Sequence, residues 1–226
     1  MKPVSSICAS IYGAGHHAVI GVSPFNSYFS EDRLAALFTW ADSHFEGFHI
    51  FIPDEATRYT LEALGYDSAK ARRKARRQAN YLMNKIERAL DVAVPDYTRD
   101  RILTNAVLGK NDAYMGMLKT VERRFERDEA FRESCTKCTR WVLENQAQED
   151  TVIDAAATNL AVRYFLEELP LFMDSASIVG AASSVFCYQK CPEALKGFYT
   201  DRSGALVAGT QGFIEVDALD LVVVYS

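Results

Sequence analysis

Residues 17–22 read His-Ala-Val-Ile-Gly-Val and residues 48–53 read Phe-His-Ile-Phe-Ile-Pro. Both are short apolar runs bounded by glycine or proline, a pattern typical of buried strands. Residues 31–45 lie between them and carry apolar side chains at helical spacing, namely Leu34, Leu37, Phe38 and Ala41. Because parallel strands need a crossover connection that is usually a helix, this unit predicts an α/β fold with a parallel sheet flanked by helices.

The rest of the chain extends this pattern without an internal repeat or a linker rich in Pro, Gly or Ser. A single domain covering residues 1–226 is therefore expected. Strand-like runs are predicted at 177–188 and 219–225. Further helices are predicted at about 54–64, 68–90, 98–145 with breaks, and 151–173.

The composition is that of an ordinary globular protein, with 49% hydrophobic residues, 24% charged residues and a net charge of −5. The first residues do not build a signal peptide, and no stretch approaches the roughly 18 apolar residues of a membrane span. The five cysteines are an odd number, which fits a reducing compartment better than a disulfide framework. A cytoplasmic protein without membrane contact is expected.

Four of the cysteines have spacings that resemble a zinc site only weakly. Cys135 and Cys138 form a Cys-x-x-Cys pair that Cys187 and Cys191 could complete. The first pair lacks the turn glycines of a zinc knuckle, and the second pair has a three-residue gap. No metal is predicted.

Ser23 directly follows the first predicted strand, in the segment Ser-Pro-Phe-Asn-Ser-Tyr-Phe at residues 23–29. The carboxyl end of a parallel strand is where open α/β sheets place reactive groups, so Ser23 is a candidate nucleophile. Gly21 faces the same side and is expected to leave space beside the hydroxyl for a bound group. A turn or helix-cap role is the alternative for this serine.

Three common enzyme motifs are missing from the sequence. Residues 21–25 lack the second glycine of G-x-S-x-G, and the chain holds neither a P-loop nor a G-x-G-x-x-G pattern, so ATP and NAD are not supported. A serine esterase or peptidase would need a histidine base. Among the four histidines, only His44 stands outside the predicted strand starts, and it is a poor candidate.

Tyr164 and Glu168 lie four residues apart in Tyr-Phe-Leu-Glu-Glu-Leu-Pro, residues 164–170, and so share one face of a predicted helix. A phenol beside a carboxylate can accept an ammonium group and take its proton. An exposed tyrosine beside a solvated glutamate is the alternative interpretation.

Residues 70–77 hold six basic side chains in eight positions, on a predicted helix whose opposite face is apolar. Four of them recur at i, i+3, i+4 and i+7, and two more broaden the stripe. The members of this basic stripe are Lys70, Arg73, Lys74, Arg77, Arg72 and Arg76. So dense a run without an interleaved acid predicts phosphate contacts, and nucleic acid is the natural partner.

Two segments together resemble the signatures of the cyclodipeptide synthases, H-x-[LVI]-[LVI]-G-[LVI]-S and Y-[LVI]-x-x-E-x-P. This chain reads His-Ala-Val-Ile-Gly-Val-Ser at 17–23 and Tyr-Phe-Leu-Glu-Glu-Leu-Pro at 164–170. Only Phe165 departs, because it replaces an aliphatic residue. The family branch marked by Asn, Tyr and Gln is matched by Asn26, Tyr188 and Gln189.

The resemblance implies a single Rossmann-like domain similar to the catalytic domain of class I tyrosyl- and tryptophanyl-tRNA synthetases. It implies that two aminoacyl-tRNAs are joined into a cyclic dipeptide, a 2,5-diketopiperazine, by a ping-pong mechanism with aminoacyl- and dipeptidyl-enzyme intermediates on Ser23. No cofactor is expected, since an aminoacyl-tRNA is already an activated ester.

The resemblance also implies roles for individual residues. Tyr164 and Glu168 would hold the first amino group, Glu168 would assist deprotonation of an attacking amine, and Tyr188 would relay a proton during cyclisation. The basic stripe would hold a tRNA acceptor arm. The orienting and pocket-lining positions would be Asn26, Gln189, Gly21, Val19 and Phe51.

Several properties stay open at this point. A monomer is expected, and enzymes that tailor the product would be further partners. The sequence does not determine which two amino acids are used. A non-catalytic tRNA-binding module, in which the basic helix matters and Ser23 does not, is the main alternative to an enzyme.

Overall fold

The computed structural model of the chain describes residues 1–147, 153–200 and 207–216. Its strands are β1 (Lys2–Pro3), β2 (His17–Gly21), β3 (Gly47–Ile52), β4 (Ile102–Thr104), β5 (Ser184–Tyr188) and β6 (Gln211–Glu215). Its helices are α1 (Ser6–Ala14), α2 (Glu31–His44), α3 (Thr57–Ala63), α4 (Ser68–Ala93), α5 (Asn105–Leu108), α6 (Asp112–Arg127), α7 (Glu129–Gln146), α8 (Ala155–Val179) and α9 (Glu193–Thr200). A 3₁₀ turn at Arg99–Arg101 precedes β4.

The described strands form one sheet in the order β1-β6-β5-β2-β3-β4. The five strands from β2 to β6 pair in parallel, and β1 pairs antiparallel with β6. β2 lies in the middle, between β5 and β3, and all five of its residues are buried. The predicted class, a mostly parallel sheet flanked by helices, is confirmed.

Helices cover both faces of this sheet. One apolar cluster packs α2 and α4 against one face, and a second cluster packs α6, α7, α8 and α9 against the other. Successive residues of β2 alternate between the clusters, with Ala18 and Ile20 in the first and Val19 in the second. The described helices include none long and apolar enough to cross a membrane.

Most predicted helices are present with shifted ends. The segment predicted at 54–64 is the shorter helix α3, and the one predicted at 68–90 extends to Ala93 as α4. Ser30 and Asp67 cap the starts of α2 and α4, because each side chain accepts a hydrogen bond from a backbone N–H of the first turn. The long segment predicted at 98–145 is divided into β4, α5, α6 and α7.

The prediction of a strand from residue 177 was wrong, because α8 continues to Val179 and β5 begins at Ser184. β1, α1, α9 and β6 were not predicted, since each is shorter than ten residues and lacks a clear period. The strand-like run at 219–225 lies outside the described residues.

The helix that carries Tyr164 and Glu168 is kinked beyond them. Pro170 lies inside α8, and Asp174 has non-helical angles, φ −159° and ψ 60°. A proline inside a helix removes one hydrogen bond and crowds the preceding turn, whereas the break at Asp174 lies one turn after Pro170. Asp174 Oδ1 then accepts a hydrogen bond from the Ser177 N–H at 3.2 Å and caps the last turns.

Candidate active site

Ser23 lies at the carboxyl edge of the sheet, where the central strands end. It follows β2 by two residues, and Tyr188 is the last residue of β5, the parallel neighbour of β2. The Tyr188 hydroxyl donates a hydrogen bond to Ser23 Oγ at 2.9 Å. Parallel pairing of the two strands thus joins two residues 165 positions apart in the chain.

Asn26 connects this pair to the turn that follows Ser23. Its Nδ2 donates to Gln189 Oε1 at 2.9 Å and to the Tyr188 hydroxyl at 3.4 Å. Its Oδ1 accepts from the Tyr28 N–H at 3.0 Å. Both ends of the amide have partners, so Asn26 holds Tyr188 and Gln189 in a fixed relation to the turn.

Helix α8 supplies the other predicted pair. The Tyr164 hydroxyl donates a hydrogen bond to Glu168 Oε1 at 2.8 Å, as the four-residue spacing predicts. Both side chains are half-buried, and the surface that they do expose lines the same cavity as Ser23. The Ser23 hydroxyl also lies close enough to the Tyr164 phenol to influence its pKa, which places Ser23 between two phenols.

Burial makes the Glu168 carboxyl a weak acid. Loss of hydration raises its pKa to about 8, against the opposing hydrogen bond from Tyr164, and the charge of Glu167 adds a smaller rise. Burial also raises the pKa of Tyr164 and of Tyr188. An α-amino group has a pKa of about 8, so proton exchange between such an amine and Glu168 costs little free energy.

A cavity of about 450 Å³ joins these side chains at the carboxyl edge. Its volume falls within the range of roughly 300–1,000 Å³ typical of small-molecule sites. The polar lining includes Ser23, Asn26, Tyr164, Glu168, Tyr188 and Gln189. The apolar lining includes Phe51, Phe165, Phe172, Phe186, Leu195 and Phe213.

Two of the predicted pocket residues differ from the expectation, Val19 in its position and Gly21 in its surroundings. Val19 is fully buried among core side chains and does not line the cavity, because it lies one strand repeat below the edge. Gly21 does line the cavity, but a Cβ atom there would lie 2.6 Å from Phe186 Cζ. The space beside Gly21 is therefore filled by the Phe186 ring, not left open for a bound group.

Sequence reasoning missed most of the aromatic lining. Phe186 precedes Tyr188 by two residues on β5, so the period-2 pattern of a strand was a usable signal that both face one side. Phe172 and Phe213 come from α8 and β6, and no local pattern points to their position. Phe25, an exposed aromatic residue at the cavity, was also missed.

The predicted basic stripe lies on α4 as expected. Five of its six side chains are exposed and Lys74 is half-buried, while the apolar residues of the helix face the core. No ion pair in the described part of the chain joins any of the six to a carboxylate. Lys74 Nζ lies 5.4 Å from the centroid of the Phe25 ring, so the stripe reaches the residues beside the cavity.

The histidines lie away from Ser23. His17 Nδ1 and Ser184 Oγ are 2.9 Å apart, and His17 Nε2 and His49 Nδ1 are 2.8 Å apart, at the amino edge of the sheet. His44 stacks on Tyr12 near the same edge. Among the described residues, which include all four histidines, none of them lines the cavity. This placement counts against a serine esterase.

The cysteines are all buried and unpaired. Cys135, Cys138 and Cys191 belong to the apolar cluster on the α7 side of the sheet, whereas Cys187 belongs to the cluster on the other side. Within the described residues, no group of three or more His, Cys, Asp or Glu side chains is arranged to hold a metal ion.

A nucleophilic side chain at the carboxyl edge of a parallel sheet, beside a carboxyl group with a raised pKa, is typical of enzymes with Rossmann-like sheets. A sequence profile of one such family, described as cyclodipeptide synthase, matches residues 1–218. The chain belongs to the cyclodipeptide synthase family.

Individual relatives agree with this assignment. The chain is 30% identical to the cyclo(L-tyrosyl-L-tyrosyl) synthase of Mycobacterium tuberculosis over 212 residues, which cover 94% of this chain and 73% of the relative. Its fold is similar to the crystal structure of a cyclodipeptide synthase from Bacillus thermoamylovorans, with a TM-score of 0.86, 30% identity, and coverage of 94% and 93% of the two chains.

A further structural relative defines the fold class. It is a Mycobacterium tuberculosis protein whose structure is described as demonstrating that cyclodipeptide synthetases are related to type I tRNA synthetases. It matches with a TM-score of 0.81 at 30% identity and covers 93% of this chain and 89% of its own. The predicted Rossmann-like fold is confirmed.

Proposed function

We propose that this cyclodipeptide synthase takes its two aminoacyl groups from aminoacyl-tRNAs and joins them through covalent intermediates on Ser23. The observation that supports this most directly is the Ser23 hydroxyl, held at 2.9 Å by Tyr188 in the same cavity as the Tyr164–Glu168 pair. The cavity thus combines a nucleophile, a proton relay and an amine-binding carboxyl group.

The first step transfers an aminoacyl group to the enzyme. Ser23 Oγ attacks the carbonyl carbon of the aminoacyl ester, the bond to the tRNA ribose oxygen breaks, and the serine proton ends on that ribose hydroxyl. The ammonium group of the substrate binds the Tyr164–Glu168 pair, where the carboxylate form of Glu168 is stabilised by the positive charge. Binding there positions the ester carbon next to Ser23.

The second step forms the first peptide bond. The amine of the Ser23-bound aminoacyl group loses a proton to Glu168 and attacks the ester of a second aminoacyl-tRNA, whose ribose oxygen leaves with a proton.

In the third step the free amine of the resulting dipeptidyl group attacks the Ser23 ester. Tyr188 passes a proton to the departing Ser23 Oγ and regains one from that amine, and the cyclic dipeptide is released.

Two observations support tRNA as the carrier. The basic stripe on α4 is exposed and reaches Phe25, which lines the cavity, through Lys74. A cyclodipeptide synthase from Candidatus Glomeribacter gigasporarum, solved bound to Phe-tRNAPhe, shares the fold at a TM-score of 0.53 and 16% identity, over 88% of this chain and 86% of that one. We infer that the stripe binds the acceptor arm. The monomeric state and any tailoring enzymes stay predictions.

Intact-protein mass spectrometry after mixing with tRNA charged with mixed amino acids tests the proposal. The wild type should gain the mass of one aminoacyl group, and a cyclic dipeptide should appear in the small-molecule fraction. Ser23→Ala should show neither. Ser27→Ala is a matched control, because Ser27 lines the same cavity but lies outside the hydrogen-bond network described above.

Three outcomes would contradict the proposal in different ways. An adduct that persists in Ser23→Ala would place the nucleophile elsewhere. Product without tRNA, from free amino acids and ATP, would exclude aminoacyl-tRNA as the donor. Binding of tRNA with no adduct and no product would favour a non-catalytic tRNA-binding module.

A further inference from the structure

Phe25 has an unfavourable conformation at the edge of the cavity. It lies in the turn that follows Ser23, has φ +65°, and is the only non-glycine residue with positive φ in the described part of the chain. Phe25 follows Pro24 in a turn, at a positive φ that glycine and asparagine adopt more readily. A large side chain in this region of φ is disfavoured.

Burial of the ring does not compensate for this conformation. Phe25 is 42% exposed, although it lines the same cavity as Ser23. An aromatic ring kept both strained and open to solvent indicates a role outside the fold itself, since strained residues concentrate at ligand sites. A bound group that covers the ring would supply the missing contact.

The surroundings of Phe25 favour a nucleotide base as that group. Lys74 Nζ lies 5.4 Å from the centroid of the Phe25 ring. Lys74 itself is fixed, because it donates a hydrogen bond to the Tyr66 hydroxyl at 2.6 Å. An exposed aromatic ring beside fixed positive charge is the usual platform for an unpaired base and its phosphate.

The distance from Ser23 limits which nucleotide can reach this ring. Phe25 is two positions after Ser23 in the chain, and two residues of chain span at most about 7 Å. The ester that Ser23 attacks is on the ribose of the 3′-terminal nucleotide, whose base lies a comparable distance away. We propose that Phe25 is the stacking platform for the terminal adenine of the aminoacyl-tRNA. This inference rests on the proposed use of aminoacyl-tRNA.

Comparing two acceptor-arm hairpins tests this role. Both carry the amino acid that forms the adduct in the mass-spectrometric experiment, and one has an abasic 3′-terminal ribose. The readout is the single-turnover efficiency of Ser23 acylation. Phe25→Ala should lower it about 10-fold with the intact hairpin and less than about twofold with the abasic one, whereas Phe25→Tyr should retain it. The wild type should lose about 10-fold when the base is removed.

Tyr81→Ala is the matched control. Tyr81 is 58% exposed and has Lys85 Nζ 5.0 Å from its ring centroid, but it does not line the cavity. Any effect of this change should be equal for both hairpins. Equal losses from Phe25→Ala with both hairpins, or no loss with either, would overturn the stacking role alone, while absence of wild-type acylation would overturn the proposed function as well.

Discussion

The two phenols that flank Ser23 differ in what they can do with a proton. The Tyr164 hydroxyl donates to Glu168 Oε1 at 2.8 Å, so this phenol already has the Glu168 carboxyl group as its partner. The Tyr188 hydroxyl donates to Ser23 Oγ at 2.9 Å and lies 3.4 Å from Asn26 Nδ2. In the proposed mechanism, Tyr188 is therefore the phenol placed to return a proton when Ser23 Oγ leaves the dipeptidyl ester.

Replacing Tyr188 by phenylalanine should slow cyclisation more than acylation. Loss of a positioned proton donor typically costs about 100-fold or more, so the dipeptidyl-enzyme should accumulate while the cyclic product forms about 100 times more slowly. Quenched-flow sampling followed by intact-protein mass spectrometry measures both species. Accumulation of unacylated enzyme would instead assign Tyr188 to the first step.

The control for this change is Tyr114→Phe. Tyr114 is also a buried tyrosine, but its hydroxyl donates to the Glu167 backbone oxygen at 2.8 Å and does not line the cavity. Removing that hydroxyl should lower stability by about 1 kcal/mol and leave the ratio of dipeptidyl-enzyme to product unchanged.

At this scale the sequence located the polar side chains of the cavity better than it predicted the cavity's shape. Ser23, Tyr164 and Glu168 were accessible because strand ends and four-residue helical spacing are local signals. The Phe186 ring beside Gly21 depends on the register between β2 and β5, which pairs Ala18 with Val185. No local pattern determines a register between segments so far apart in the chain.

Helix α4 carries cations of two kinds, those that contact neighbouring segments and those of the basic stripe. Its N-terminal half carries the basic stripe, which has no carboxylate partner among the described residues, whereas Arg88, further along, pairs with Glu31 of α2 at 2.8 Å. Lys85 Nζ donates to the Phe29 backbone oxygen at 2.9 Å and so helps to dock the helix. The cations available for phosphate are therefore concentrated between Lys70 and Arg77.

The salt dependence of tRNA affinity measures how many of these cations contact phosphate. If about four do, log affinity should fall with log salt at a slope near −3 to −4. The double variant Arg73→Ala, Arg77→Ala should reduce the magnitude of this slope by about 2, because each lost phosphate contact removes about 1. A flat response in the wild type would remove the stripe from the tRNA site.

Arg88→Ala is the control on the same helix. Its partner Glu31 already neutralises it, so the slope should stay within about 0.5 of the wild-type value. A change as large as that of the double variant would mean that the tRNA contact extends along the whole helix.

Elements with long amphipathic patterns were the predictable ones. The helix predicted at 68–90 was found because apolar and basic residues alternate regularly through it. β4 and β6 are three and five residues long, and their place in the sheet depends on pairing with β3 and β5. Short strands of this kind carry too few residues to show a period of their own.

Across the whole molecule, the two edges of the sheet have opposite responses to pH. At the amino edge, burial and the positive charges of His49 and Arg101 together lower the pKa of His17 to about 3. Burial also lowers the pKa of His49. At the carboxyl edge, burial raises the pKa of Glu168 to about 8 and that of Glu167 to about 7. The folded protein thus keeps these histidine and glutamate side chains neutral at pH values where they would be charged in the unfolded chain.

The sign of each contribution follows from proton uptake. Below pH 6.5 the unfolded chain binds a proton at His17 that the folded chain does not, so stability falls as pH drops from 6.5 towards 3. Above pH 4.5 the folded chain holds a proton on Glu168 that the unfolded chain releases, so stability falls as pH rises towards 8. Between pH 4.5 and pH 6.5 the His17 contribution to stability rises with pH while the Glu168 contribution falls, so the two changes oppose each other.

We therefore expect the melting temperature to be nearly constant from about pH 4.5 to 6.5 and to fall on both sides. Glu168→Gln should abolish product formation, and its stability should exceed that of the wild type by an amount that grows from about zero at pH 4.5 to its largest value near pH 8, because it removes one proton-linked loss. His17→Gln should remove most of the decline on the acid side and leave a decline that starts near pH 4.5 and continues towards pH 8. Scanning calorimetry across this pH range measures both, and the double variant should show the sum of the two changes, since the groups lie at opposite edges of the sheet. Loss of the alkaline decline in His17→Gln, or of the acid decline in Glu168→Gln, would show that the two edges are coupled through β2 and not independent.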